Sequence, residues 1–335
     1  MIKKRRRMTI LSLALVLVCL FLLPPMMAAS PGGQAPAAVT ATDHWDSGWV
    51  PLPAGICVTF THNLGGNPDD YAVEVWFLDT NGGMGINRRG FGGLDLYGDR
   101  EGAHGEELTA NSIDVCRGTD DPAADRVRIR VWIPAASATS WTSPWTSIAQ
   151  GQTKTFNHNL GVAPANLVVS VWFKGTARGI HQRGFGGLAI NATEEMHGAH
   201  WHHLDANSVK VTRHQDDTEI DQVRVLVVAP DPPHYDSSFF PLGSGFNPVA
   251  HGLGWSPDMM LVRGECRSPG SGIHNWFAGG SADWFLGRQG VNIEQLARNS
   301  VVVMRWPQDG LCPEARIRIW KRAVPVYMPL IVFNN

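Results

Sequence analysis

The sequence predicts an all-β protein built as three tandem antiparallel β-sandwich domains of about 90 residues each. Three observations lead there: a turn-rich composition poor in charge, one set of motifs written three times, and strands whose apolar residues alternate with polar ones. Of 335 residues, 17% are charged, while 36 are Gly, 22 Pro and 13 Trp. That balance suits short strands joined by tight turns better than long helices.

The repeat is read from its motifs. "TFTHNLGGNP" at 59–68, "TFNHNLGVAP" at 155–164 and "PVAHGLGWSP" at 248–257 place His62, His158 and His251 about 95 residues apart. The flanks follow suit. "YAVEVWFL" (71–78) matches "LVVSVWFK" (167–174), and "GINRRGFGG" (85–93) matches "GIHQRGFGG" (179–187) and "GIHNWFAGG" (272–280). The copies span 46–134, 141–230 and 236–322, the third being divergent, with a leader and linker at 1–41 and a tail at 323–335. Within a copy, Val127, Ile129 and Val131 alternate with Arg128, Arg130 and Trp132, and Tyr71, Val73, Val75 and Phe77 share one face. Period-two alternation marks a strand with one buried side. A unit of this size can bury its own core.

Lys3, Lys4, Arg5, Arg6 and Arg7 precede an apolar run from Ile10 to Leu23 and then "AASPGGQAPAAVTA". This is the pattern of a secretory signal peptide, and it predicts a secreted or cell-surface protein. The leader holds five of the 28 basic residues and none of the 30 acidic ones, leaving 23 against 30. An acidic chain is a poor partner for nucleic acid. No second run is long enough to span a membrane as a helix. Cys57 and Cys116 align with Thr153 and Thr212, the joint loss that a Cys57–Cys116 bridge would leave. Cys266 and Cys312 align with Phe173 and Ile220, and a second bridge is expected between them. The alternative is four buried thiols.

Candidate chemistry is sparse. A catalytic histidine needs a positioned nucleophile and an orienting acid, and no serine or cysteine recurs in an activated setting beside all three of His62, His158 and His251. The structural reading is that each ring bonds a backbone group while Leu-Gly makes the turn. In "HGAHWHHL", His200 and His202 share a strand face, and with His197 they form a candidate metal set; the alternative is a surface histidine patch. Asp121 and Asp217 lie in acidic loops that suit weak calcium binding or a solvated hairpin. No other cofactor is expected. "RGFGGL" recurs at 89–94 and 183–188, so Arg89, Phe91, Arg183 and Phe185 are candidates for gripping a planar ligand or for plugging the core. Trp76, Trp132 and Trp172 lie opposite the aliphatic face, near Arg128, where exposed rings and guanidinium donors suit a sugar. Packing between neighbouring domains is the alternative.

"SGWV", "FTHNLGGNP" and the closing "RVRIRVWI" resemble H-type lectin domains, small six-stranded sandwiches that associate and bind sugars. The resemblance implies a lectin-like fold and carbohydrate binding, and it assigns no binding residue. The tail "VPVYMPLIVFNN" resembles the short tails of secreted proteins of filamentous green non-sulfur bacteria, which implies export. The expectation is a non-enzymatic extracellular binding or adhesion protein whose partner is a glycan or another cell-surface component, with oligomerisation open. A structural component of a surface or filament assembly is the alternative. A metal-dependent hydrolase centred on the histidine cluster is the third reading.

Overall fold

The computed structural model describes residues 44–88, 95–96, 99–100, 102–133, 139–182, 198–275 and 290–322, with backbone alone at 95–96 and 99–100. Helix among these residues is limited to single 3-10 turns at Pro68–Asp70, Pro164–Asn166 and Pro257–Met259. Each begins on a proline, whose fixed φ suits a first helical position.

In the first segment, Arg126–Trp132 lies between Ala72–Leu78 on one side and the short strands His44–Asp46 and Val50–Pro51 on the other; Ile86–Asn87 extends the sheet beyond Ala72–Leu78. A smaller sheet runs Cys57–Thr61, Ser112–Arg117, Ala103–Glu106. The same two sheets, one of five strands and one of three, recur in the second and third segments. The six small sheets are arranged as a six-bladed β-propeller. The expectation of three tandem β-sandwiches is therefore wrong.

The reason lies in what covers the second face of each large sheet. Alternation places Val75 and Phe77 in the first segment's core, both 0% exposed. A free-standing sandwich would leave their neighbours on the strand in water. Instead Glu74 and Trp76 are 1% and 3% exposed, and Trp76 belongs to the apolar cluster of the third segment. Ile180 of the second segment likewise enters the first segment's cluster, and Ile273 of the third packs against the second's.

Backbone hydrogen bonds carry strand pairing from one segment to the next. Glu107 N–H donates to Arg178 O (3.0 Å) and Gln182 N–H to Gly105 O (3.0 Å). His203 N–H donates to Ser271 O (2.8 Å), and Gln295 N–H to Met84 O (2.8 Å), so the third segment returns to the first. Glu107, His203 and Gln295 hold φ of 50°, 51° and 48°. Left-handed backbone is uncommon for non-glycine residues, and here it turns the chain out of its own sheet toward the neighbour. The ring is closed within one chain.

Disulfides join Cys57 to Cys116 and Cys266 to Cys312. The first staples directly opposed residues on neighbouring strands. No helix among the described residues is long and apolar enough to cross a membrane.

Candidate functional site

The triplicated histidines sit where a strand ends and the chain turns. His62 Nδ1 accepts from Leu64 N–H (3.3 Å), His158 Nδ1 from Leu160 N–H (3.3 Å) and His251 Nδ1 from Leu253 N–H (3.4 Å). The backbone of each motif is anchored across the turn, with His62 and Asn63 N–H both donating to Asn111 O. Burial lowers the pKa of all three imidazoles, against nearby backbone groups that favour the charged form. The neutral rings brace turns, those of His62 and His251 standing edge-on to Tyr71 and Tyr235.

The recurrent acidic residues are braces of another kind. Asp121 accepts from Gly102 N–H through Oδ1, and from Arg117 Nε, Ala123 N–H and Ala124 N–H through Oδ2. Asp217 repeats this with Gly198, Arg213 and Ile220, and Asp309 with Gly290, Arg305 and Cys312. A calcium ion needs six to eight oxygen ligands it can approach. The buried carboxylates of Asp121 and Asp217 are instead taken up by amide and guanidinium donors. The one group of three metal-ligating side chains within reach of each other among the described residues is Cys57, Glu106 and Cys116, and its two sulfurs are bonded together.

Arginines and aromatic rings meet where segments join. Arg128 Nε and Nη2 donate to the two carboxylate oxygens of Asp46 (both 2.9 Å), and Nη1 pairs with Asp258 of the third segment. Beside it, Arg130 donates to Asp46 (3.0 Å), Glu74 (3.0 Å) and the Asp258 carbonyl (2.9 Å). Burial pushes the Asp46 carboxyl up, but the Arg128 hydrogen bonds and the Gly48 amide outweigh it and bring the pKa to about 2. The other joints are built alike. Asp69 takes Arg224 through its carbonyl and Trp145 Nε1 through its carboxylate (2.8 Å), while the Ala165 carbonyl takes Arg316 (2.6 Å).

A narrow crevice open to solvent lies between the first and third segments, its own volume about 10 Å³, the room of about one water molecule. Trp49, Trp76, Arg128, Arg130 and Asp258 line it. Trp76 and Arg128, two of the expected ligand-binding residues, are thus brought together as directly opposed cross-strand neighbours. Trp76 is nevertheless buried rather than exposed, because the third segment's core covers it. Trp172 is half-buried against the first segment's core, and Trp132 lies under Arg322 (5.2 Å), away from the cleft lining. Arg89, Phe91, Arg183, Phe185 and His197 lie outside the described residues.

A second polar cluster forms where the second segment meets the third. His200 Nδ1 faces His214 Nε2 at 3.0 Å, and the His200 and His202 rings are 5.0 Å apart between centroids. His202 Nε2 meets Thr212 Oγ1 (2.8 Å), and His274, from the third segment, meets Leu311 O (3.0 Å). Burial is the main cause of lowered pKa values, well below the ordinary range for His200 and to about 4 for His202 and His274, with neighbouring imidazoles adding to it. At the equivalent joint between the first and second segments stand His104 and Glu106, bonded at 3.0 Å, with Arg178 between Glu106 and Glu219.

Trp49, Asp258, His214 and His274 are not singled out by the sequence patterns. Trp49 and Asp258 were reachable through alignment of the copies, since Trp145 and Asp69 occupy the matching positions. His214 and His274 come from a turn and a separate segment, and nothing local ties them to His200. No protein-family model, curated protein or solved structure matches this chain.

Proposed function

We propose that this protein is an extracellular, non-catalytic binding protein that holds a surface glycan across the mouth of the crevice between its first and third segments. The observation that carries the reading is the meeting of Trp49 and Trp76 with the Arg128–Asp258 pair in one crevice. Trp49, partly buried against the third segment's core, offers the remaining part of its indole to the C–H groups of a sugar ring, and the charged pair offers donors and acceptors for hydroxyls. Two disulfides fit an oxidising, extracellular environment. Head-to-tail assembly into filaments is less well supported, because the strand edges that would pair between chains at the joints are already paired within one.

The test is a glycan and cell-wall polysaccharide array probed with the secreted protein and with Trp49→Ala. Near-UV circular dichroism checks that both are folded. Binding by the parent that falls at least tenfold in the variant is expected. No binding by folded parent protein, or undiminished binding by the variant, rejects the cleft as a glycan site.

A further inference from the structure

The histidine cluster has a geometry of its own. His200 and His202 are two residues apart on the strand Ala199–His202 and therefore point to one face. In the antiparallel register His200 opposes Thr212, which makes His214 its diagonal neighbour on that same face. Two ring nitrogens, His200 Nδ1 and His214 Nε2, end 3.0 Å apart. Two imidazoles bound to one tetrahedral zinc, at about 2.05 Å each, have nitrogens roughly 3.3 Å apart, so a small opening of this pair admits an ion.

The donor set narrows the ion's class. His200 and His214 face each other through imidazole nitrogens, while His202, whose ring lies against that of His200, has its Nδ1 turned to His203 Nδ1 (2.5 Å) and can join the set only by giving up that contact. Such a set suits ions of borderline softness and not calcium or magnesium. Thr212 Oγ1 fixes His202 Nε2 at 2.8 Å, the outer hydrogen bond that orients a ligating imidazole. The other two segments lack the set. The matching positions are His104, Glu106 and Gly118 in the first and Asn292, Glu294 and Trp306 in the third.

We propose that His200 and His214, with His202 keeping Thr212 at Nε2 and exchanging the His203 contact at Nδ1 for the ion as third ligand, bind a first-row divalent transition ion at the joint between the second and third segments. Water completes the coordination, and His214, half-buried on a turn, gives access from solvent.

The test is calorimetric titration of the chelator-treated full-length chain with Zn²⁺, alongside the visible absorption of the Co²⁺-loaded protein. One ion per chain is expected, with the intense visible bands of four-coordinate cobalt. His200→Asn and His214→Ala should each weaken zinc binding at least tenfold, while His104→Asn, the matching change in the first segment, leaves it unaltered. Asn292 occupies the matching place in the third segment, so His200→Asn is compatible with the fold; His214→Ala on its turn serves should it fail. Absence of stoichiometric zinc from folded parent protein overturns the proposal. So does binding that survives both changes, which would be adventitious attachment to surface histidines.

Discussion

Replacing Asp217 by Asn keeps the side chain's shape and removes its charge. Asp217 is 0% and Arg213 7% exposed. The carboxylate accepts from Gly198 N–H (3.1 Å) at one oxygen, and from Arg213 Nε (2.9 Å) and Ile220 N–H (3.0 Å) at the other. An amide has one oxygen, so its NH2 must face a donor. The less harmful orientation turns it toward Gly198 and orphans that buried N–H, at about 1–3 kcal/mol. Breaking a buried ion pair adds about 3–5 kcal/mol when the surviving charge is uncompensated. Arg213 keeps the carbonyls of Ile148 (3.0 Å) and Asp217 (2.6 Å), so the lower end applies and the total is about 4 kcal/mol. Urea-induced unfolding at neutral pH measures it, provided the slope is unchanged between parent and variant. Asp70→Asn, on the exposed side of a 3-10 turn, should stay within about 0.5 kcal/mol. A loss below about 1 kcal/mol for Asp217→Asn, the size of one ordinary hydrogen bond, would falsify the claim that this pair braces the loop joining Ser208–Arg213 to Gln222–Val228, strands of two different sheets.

Two further outcomes follow from the same geometry. His181 is 0% exposed, and burial is the chief cause of a pKa lowered to about 4; the folded state keeps it neutral while the unfolded chain takes a proton below about 6.5. Its contribution to stability is therefore complete above about pH 6.5 and falls by about 3 kcal/mol as pH drops to about 4. His181→Asn, which copies Asn87 at the matching position, should flatten that part of the pH–stability curve, and an unchanged curve would assign the effect elsewhere. The double change Cys57→Thr/Cys116→Thr installs the pair found at Thr153 and Thr212, whose hydroxyls meet at 2.7 Å. Freeing a loop of 59 residues costs about 4 kcal/mol on the chain-entropy account, of which one hydrogen bond restores about 1 kcal/mol. A loss near ~3 kcal/mol in denaturant is expected, and none at all would mean that the unfolded chain does not feel the link.

The strands were legible because burial alternates along them: Val73, Val75 and Phe77 declare a core face whatever covers the other side. What covers the other side was not legible. Glu74 and Arg130 are charged and look solvent-facing, yet they are buried against each other, and Arg130 reaches Asp258, a residue of another segment. Period-two patterning separates two faces without saying whether water or protein meets the second. The ring escaped for a related reason. It is closed by backbone groups such as Glu107 N–H and Arg178 O, and main-chain donors leave no mark in side-chain identity. The turn role of His62 was readable from its local motif, whereas the cleft's composition depended on knowing which segments touch. The histidine cluster was half readable: the strand pattern gives His200 and His202, while His274 arrives from the next segment, beyond the reach of any local pattern.

Ring closure also constrains how the chain can be made. Gln295 must find the backbone near Gly83, 212 positions earlier, through its side chain as well as its main chain. Contacts that distant form late, after loop-closure entropy has been met. During synthesis or passage through a pore, the first segment therefore waits with the edge at Ile86 unpaired until the last segment arrives. An unpaired edge is a template for pairing with another chain. Chains cut short before residue 290 would carry that open edge permanently, and they are the species from which aggregation and proteolytic loss should start.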